Sequence, residues 1–225
     1  MREKPAGSFP FPMERTERIA GWVWLPVHSF ALALFVSYVG KALGTGVEKD
    51  LIFYGISYAY IVLLMFRYLK KSVSLLWEHR TDGVRAVVMG YAVYYLLFTL
   101  VQLLSETVAP GVGALEKKLN PGQMKLIALL LAPVVEEVLF RGVAYGGLRK
   151  FNRVLAYVCS VVLFAVCSNW TILLAGSVRE SLWQMLRYVP SGLALAWCYE
   201  ESKSIYAPIL LHIAINFVTI TVGFG

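Results

Sequence analysis

Residues Leu129–Gly142 read LLLAPVVEEVLFRG, with two adjacent glutamates, Glu136 and Glu137, and Arg141 set in an otherwise apolar run. A charged residue at mid-bilayer costs roughly 2.5–3.5 kcal/mol, so the three together cost about 8–10 kcal/mol. Between Leu126 and Val143 the run holds eleven Leu, Ile, Val or Phe, each returning about 0.3–0.6 kcal/mol, or roughly 3–7 kcal/mol in all. Such a segment is not a lone lipid-facing helix. It needs polar partners inside a bundle.

The surrounding chain is built for lipid. Of 225 residues, 58% are hydrophobic and only 16% charged, with a mean hydropathy of +0.64. Apolar runs of membrane-spanning length recur between charged connectors, which makes the expected fold an all-α polytopic transmembrane helix bundle. The net charge of +7 does not indicate nucleic acid, because the basic residues sit in the short connectors where they orient a membrane protein. Cys159, Cys167 and Cys198 lie in apolar stretches without paired spacing, so they read as packing residues.

About seven spans are expected: Gly21–Gly40, Leu51–Leu69, Ala86–Leu104, Leu126–Leu148, Val154–Ala175, Leu182–Tyr199 and Ile205–Val222. Residues 1–20 read as a polar tail with no apolar core of a signal peptide, and Pro5, Pro10 and Pro12 oppose a helix there. SVSLLWEHR, after the second run, is too short to span and amphipathic enough to lie along the interface. The connector Ser105–Lys125, rich in Pro and Gly, reads as a loop or short surface helix able to cover a site. Residues 21–123 thus form N-terminal transmembrane helices with a connector, and 124–225 a second unit carrying the polar motifs. Excluding Arg141, Lys and Arg number 13 on the side of the N-terminus against 7 opposite. This bias predicts a multi-pass protein of the cell membrane with its N-terminus in the cytoplasm.

On a helix Glu137 and Arg141 are four apart and share a face, while Glu136 is turned by about 100°. One carboxylate is therefore neutralised by the arginine and the other is free to face a cavity, as a catalytic acid or base requires. A structural ion-pair cluster explains the three residues equally well. The last run supplies a second polar pair: in LLHIAINF, His212 and Asn216 are also four apart. An imidazole and a carboxamide on one face are a proton-transfer group and an oxyanion donor. His28 stands alone in its run and reads as a hydrogen-bonded bundle histidine.

The EExxxR pattern of Glu136, Glu137 and Arg141, the apolar helix containing Phe164, and the HxxxN of His212 and Asn216 resemble the CPBP family. These are the CAAX-processing and bacteriocin-processing intramembrane proteases, also called Abi. The resemblance covers about Met124–Thr221, making 124–225 a CPBP-like catalytic core. It implies peptide-bond hydrolysis by glutamate-activated water, with a membrane-associated protein or peptide as substrate. Glu136 would be the general base, Glu137 and Arg141 its supporting pair, and His212 and Asn216 the groups that polarise the carbonyl or hold its oxyanion. Phe164 and Ser168 would line the substrate site.

One departure opens an alternative. Ser168 stands where the family has histidine, and only His28, His79 and His212 exist in the chain. The rival reading is a catalytically weakened or inactive family member acting as a membrane regulator or scaffold. A transporter ranks lower, since no repeat symmetry is visible. No cofactor is implied; zinc is disfavoured because no HExxH is present and Arg141 competes for the carboxylates.

Overall fold

The structure, a computed structural model, describes residues 9, 12–42, 49–108, 121–175 and 178–222. Among these residues every regular element is helical, and the molecule is an all-α helical membrane protein. Helix α1 (Arg15–Pro26) runs through a π-helical segment, Val27–Leu32, into α2 (Ala33–Ala42). Helices α3 (Lys49–Leu64), α4 (Phe66–Glu78) and α5 (Arg80–Val108) follow. The fourth run is one helical rod of changing pitch: α6 (Pro121–Leu126), π-helical Ile127–Leu131, α7 (Ala132–Glu137), π-helical Val138–Tyr145 and α8 (Gly146–Arg149). Helices α9 (Arg153–Ala175), α10 (Val178–Ser202) and α11 (Tyr206–Val222) complete the bundle.

That rod is the hub. Val135, Val138, Leu139, Val143 and Tyr145 are fully buried in one core cluster with Ile61, Met65, Tyr68, Ala196, Tyr199 and Ile205. It packs on α1, α3, α9, α10 and α11, while α5 lies outside, packed chiefly on α10 and exposed along most of its apolar length. Because lipid tails are as apolar as leucine, close backbone approach rather than water exclusion holds such helices together. A Cβ on Gly21 would come within 2.3 Å of Val143, so the close approach of α1 to the hub at this point needs a residue without a side chain.

The expected seven spans differ in character in the folded chain. Among the described residues Arg15–Val39 and Arg80–Ser105 are long and apolar enough to cross a membrane. The second run breaks at Met65, where α3 and α4 meet at 77°, so it counts as a broken span at most. The amphipathic segment therefore begins at Phe66, earlier than expected, burying Tyr68, Leu69 and Ser72 and exposing Arg67, Lys70 and Lys71. The fourth run holds Glu136, Glu137 and Arg141, the sixth is diluted by polar residues such as Gln184 and Arg187, and the apolar helices Arg153–Asn169 and Tyr206–Thr221 are shorter. Charge is tolerated in the inner rods because they are wrapped by the outer ones.

Two further boundaries move. Within the stretch read as a tail Met13 is buried, and α1 begins at Arg15 with the Glu14 amide donating to Glu17 Oε2 at 3.0 Å. Phe9 packs edge-on against Tyr145 and Tyr199. In the connector Ser105–Lys125, α5 persists to Val108 and α6 starts at Pro121; residues 109–120 lie outside the described residues. Pro133 acts one turn earlier than its own position. It has no N–H to offer, and the preceding turn widens so that the Ala132 amide reaches Ile127 O.

Candidate functional site

The hub rod brings Glu136 from α7, and Glu137 and Arg141 across the start of the second π-helical segment, to one level of the bundle. Glu137 and Arg141 are both fully buried, and Arg141 Nη1 donates to Glu137 Oε1 at 3.0 Å. Arg141 Nη2 donates to the carbonyl of Gly192 on α10 at 3.3 Å. Its guanidinium also lies 4.5 Å from the centre of the Phe164 ring on α9. A desolvated arginine is thus held from three sides: by a carboxylate, a carbonyl and a π face.

Helix α11 brings His212 against the same carboxylate. His212 Nδ1 lies 2.8 Å from Glu137 Oε1, and since a carboxylate paired with arginine accepts, the hydrogen sits on Nδ1. This places Nε2 on the far side of the ring, 4.0 Å from Glu136 Oε2. Glu136 in turn accepts a hydrogen bond at Oε1 from the Tyr54 hydroxyl of α3, at 2.8 Å. The two acids differ in access: the Glu136 side chain is 15% exposed and that of Glu137 0%. Asn216, one turn beyond His212, donates through Nδ2 to Ala128 O at 2.8 Å, inside the first π-helical segment. One amide hydrogen of Asn216 is left over.

Two buried atoms of this cluster have no hydrogen-bond partner among the described residues: Glu137 Oε2 and Arg141 Nε. Orphaned buried polar atoms are rare in native folds and mark places kept for something other than packing.

Of the residues expected at a site, Glu136, Glu137, Arg141 and His212 converge, with Asn216 one turn away. Phe164 belongs to the same cluster as a wall: it is 2% exposed, with its ring edge-on to His212 at 6.2 Å, and to Phe140 and Tyr188. Ser168 does not join the closed cluster. One turn beyond Phe164 on α9 it is exposed, so the packed face of the helix opens at that level. Asn169 is buried but spends its Nδ2 on the carbonyl of Ala165 in its own helix. Tyr54 escaped the sequence reading altogether. The tyrosine-rich character of α3 was visible, and a buried phenol in an apolar run needs a partner, but nothing in the spacing names Glu136 as that partner.

Among the described residues no group of three His, Cys, Asp or Glu is disposed to hold a metal ion. Glu137 Oε1 already accepts from Arg141 and His212, and the inward nitrogen of His212 is tied to that same oxygen.

Residues 119–218 match the family described as "Type II CAAX prenyl endopeptidase Rce1-like", a stretch that contains every converging residue except Tyr54. The match agrees with the resemblance of the motifs to the CPBP family. The chain is also 31% identical over 99 residues to a protein of Bacillus subtilis (strain 168) named "Putative membrane peptidase YdiL". That alignment covers 43% of this chain and 36% of the relative, so the chain corresponds to well under two thirds of the relative's length. No solved structure matches the chain.

Proposed function

We propose that the protein is an intramembrane endopeptidase that hydrolyses a peptide bond in a membrane-associated protein or peptide. The observation that carries this reading is the asymmetry between adjacent acids. Glu137 is sealed between Arg141 and His212, whereas Glu136 is the accessible one and faces His212 Nε2 across 4.0 Å. Two hydrogen bonds of about 2.8 Å meeting at a single water span such a gap. A water held there is attacked from one side by the base and presented to a carbonyl on the other.

The chemistry then follows from the positions. Glu136 takes a proton as the water oxygen bonds to the scissile carbonyl carbon. His212, anchored through its Nδ1 hydrogen on Glu137, holds the water at Nε2, and the developing oxyanion is met by the remaining amide hydrogen of Asn216. As the C–N bond breaks, Glu136 returns its proton to the leaving amine. Arg141 holds Glu137 in place, and Phe164 closes the wall behind the guanidinium. No step is routed through a metal. The substrate arrives from the bilayer, and the protein sits as a multi-pass component of the cell membrane with its N-terminus in the cytoplasm.

The test is cleavage of an internally quenched, farnesylated CaaX peptide and of an unprenylated membrane-anchored peptide by purified protein in proteoliposomes. Wild type should cleave at least one, and Glu136→Gln and His212→Ala should abolish it. Equal rates for wild type and Glu136→Gln would end the protease reading. A second reading, a regulator or scaffold with weakened catalysis, draws on the serine at 168 and its exposure outside the closed cluster. It expects Ser168→His to raise cleavage and the Glu136 variants to leave partner binding intact.

A further inference from the structure

We infer that the N-terminal helices complete the site: Tyr54 is a positioning residue for Glu136, and the His28–Ser57 pair fixes its aim. This inference rests on the protease reading for its kinetic consequence, but not for its geometry.

The matched segment begins at residue 119, so nothing in it accounts for a partner supplied by α3. Yet the hydrogen bond the structure describes on Glu136 is the one from Tyr54, at 2.8 Å. A carboxylate on a flexible side chain can turn about its last torsion. By engaging Oε1, the phenol leaves Oε2 as the oxygen directed at His212 Nε2. Without it the carboxylate is free to turn, Oε2 no longer stays aimed at His212 Nε2, and the base loses its orientation.

The phenol is itself held. Ser57 lies three residues after Tyr54 on the same face of α3, is fully buried, and shares a 2.7 Å hydrogen bond with His28 Nδ1. His28 sits in the π-helical turn between α1 and α2, its ring stacked on Phe53 at 4.6 Å and edge-on to Tyr54 at 5.9 Å. The widened turn after Pro26 is what pushes this imidazole into the α3 interface. The His28–Ser57 bond, inside an apolar contact, holds α3 against the π-helical turn beside Tyr54, and therefore fixes where the Tyr54 hydroxyl ends.

Two measurements test this on the full-length protein in proteoliposomes, with Tyr60→Phe as control, since the Tyr60 hydroxyl donates to Ala20 O, away from the acids. The first is cleavage of the quenched farnesylated peptide. Tyr54→Phe should lower kcat roughly 10–100-fold with KM within about twofold, as loss of orientation demands. Ser57→Ala should show the same pattern at a smaller scale, and Tyr60→Phe should match wild type. The second is labelling of Glu136 by dicyclohexylcarbodiimide at one fixed pH, mapped by mass spectrometry. Releasing the carboxylate in Tyr54→Phe should raise Glu136 labelling about tenfold, with Tyr60→Phe unchanged. If wild type cleaves nothing but the labelling rises, the protease reading fails and the positioning role stands. Unchanged labelling in Tyr54→Phe, or unchanged kcat in an active enzyme, overturns the inference.

Discussion

Two buried glutamate–arginine clusters lie at different levels of the same rod, and they are built on opposite principles. At the α8 end, Glu200 of α10 accepts from Arg149 Nε at 2.8 and 3.0 Å and from Nη2 at 2.7 Å, receives the Tyr145 hydroxyl, and has Arg153 at 3.6 Å. Both carboxylate oxygens are engaged. At the α7 level, Glu137 gives one oxygen to two donors and keeps the other unpartnered, as Arg141 keeps Nε. The first cluster fastens α8 to α10. The second carries an unpaid electrostatic debt at a point where a neighbouring acid is accessible, which is what separates a site from a fastener.

This contrast is open to attack, starting where the effect is largest. Glu136→Gln should reduce cleavage of the quenched peptide by about 10²–10⁴-fold while thermal unfolding in detergent moves little, because the amide still accepts from Tyr54. A matching loss of stability would mean that Glu136 is a fastener too. Arg141→Met strands the buried Glu137 carboxylate and should cost about 3–5 kcal/mol in a reversible denaturation. Arg141→Lys should recover little, since an ammonium cannot reach Glu137, Gly192 O and the Phe164 face together. Glu200→Gln should cost about 1–2 kcal/mol, softened by the partial exposure of Arg149, and leave kcat of the folded fraction intact. A fall in kcat there would erase the distinction between the clusters.

The smallest effect belongs to the surface clamp between the start of α1 and α4. Hydrogen bonds from Lys71 and Arg67 hold the Glu14 carboxyl below the ordinary carboxylate range. A depressed folded value means that the clamp contributes above the unfolded pKa and is lost as pH falls through the folded one. Acid or high salt should therefore raise protease susceptibility near residue 14, and Glu14→Gln should remove most of that dependence.

The helical class and the convergence of the fourth and seventh runs were legible from Glu136, Glu137, Arg141, His212 and Asn216, because four-residue spacing survives even where α-helix gives way to π-helix. Three things were not. The break at Met65 carries no proline or glycine of its own. Ser168 shares a face with Phe164, yet whether that face is covered depends on where the neighbouring rods stop. Tyr54 is remote in sequence from Glu136 and belongs to a run expected to be a plain span, so only the packing of α3 on α7 reveals its aim.

The 77° bend at Met65 also works as a depth gauge. If α4, with Arg67, Lys70 and Lys71 exposed, lies along the interface as its amphipathic pattern predicts, it would mark the phosphate level. Tyr54 lies eleven residues up α3 from the bend, or about 16 Å at 1.5 Å per residue. Half of a hydrocarbon layer of about 30 Å is nearly the same distance. The accessible carboxylate would thus be stationed at the midplane, and any water reaching it must descend half the thickness of the bilayer.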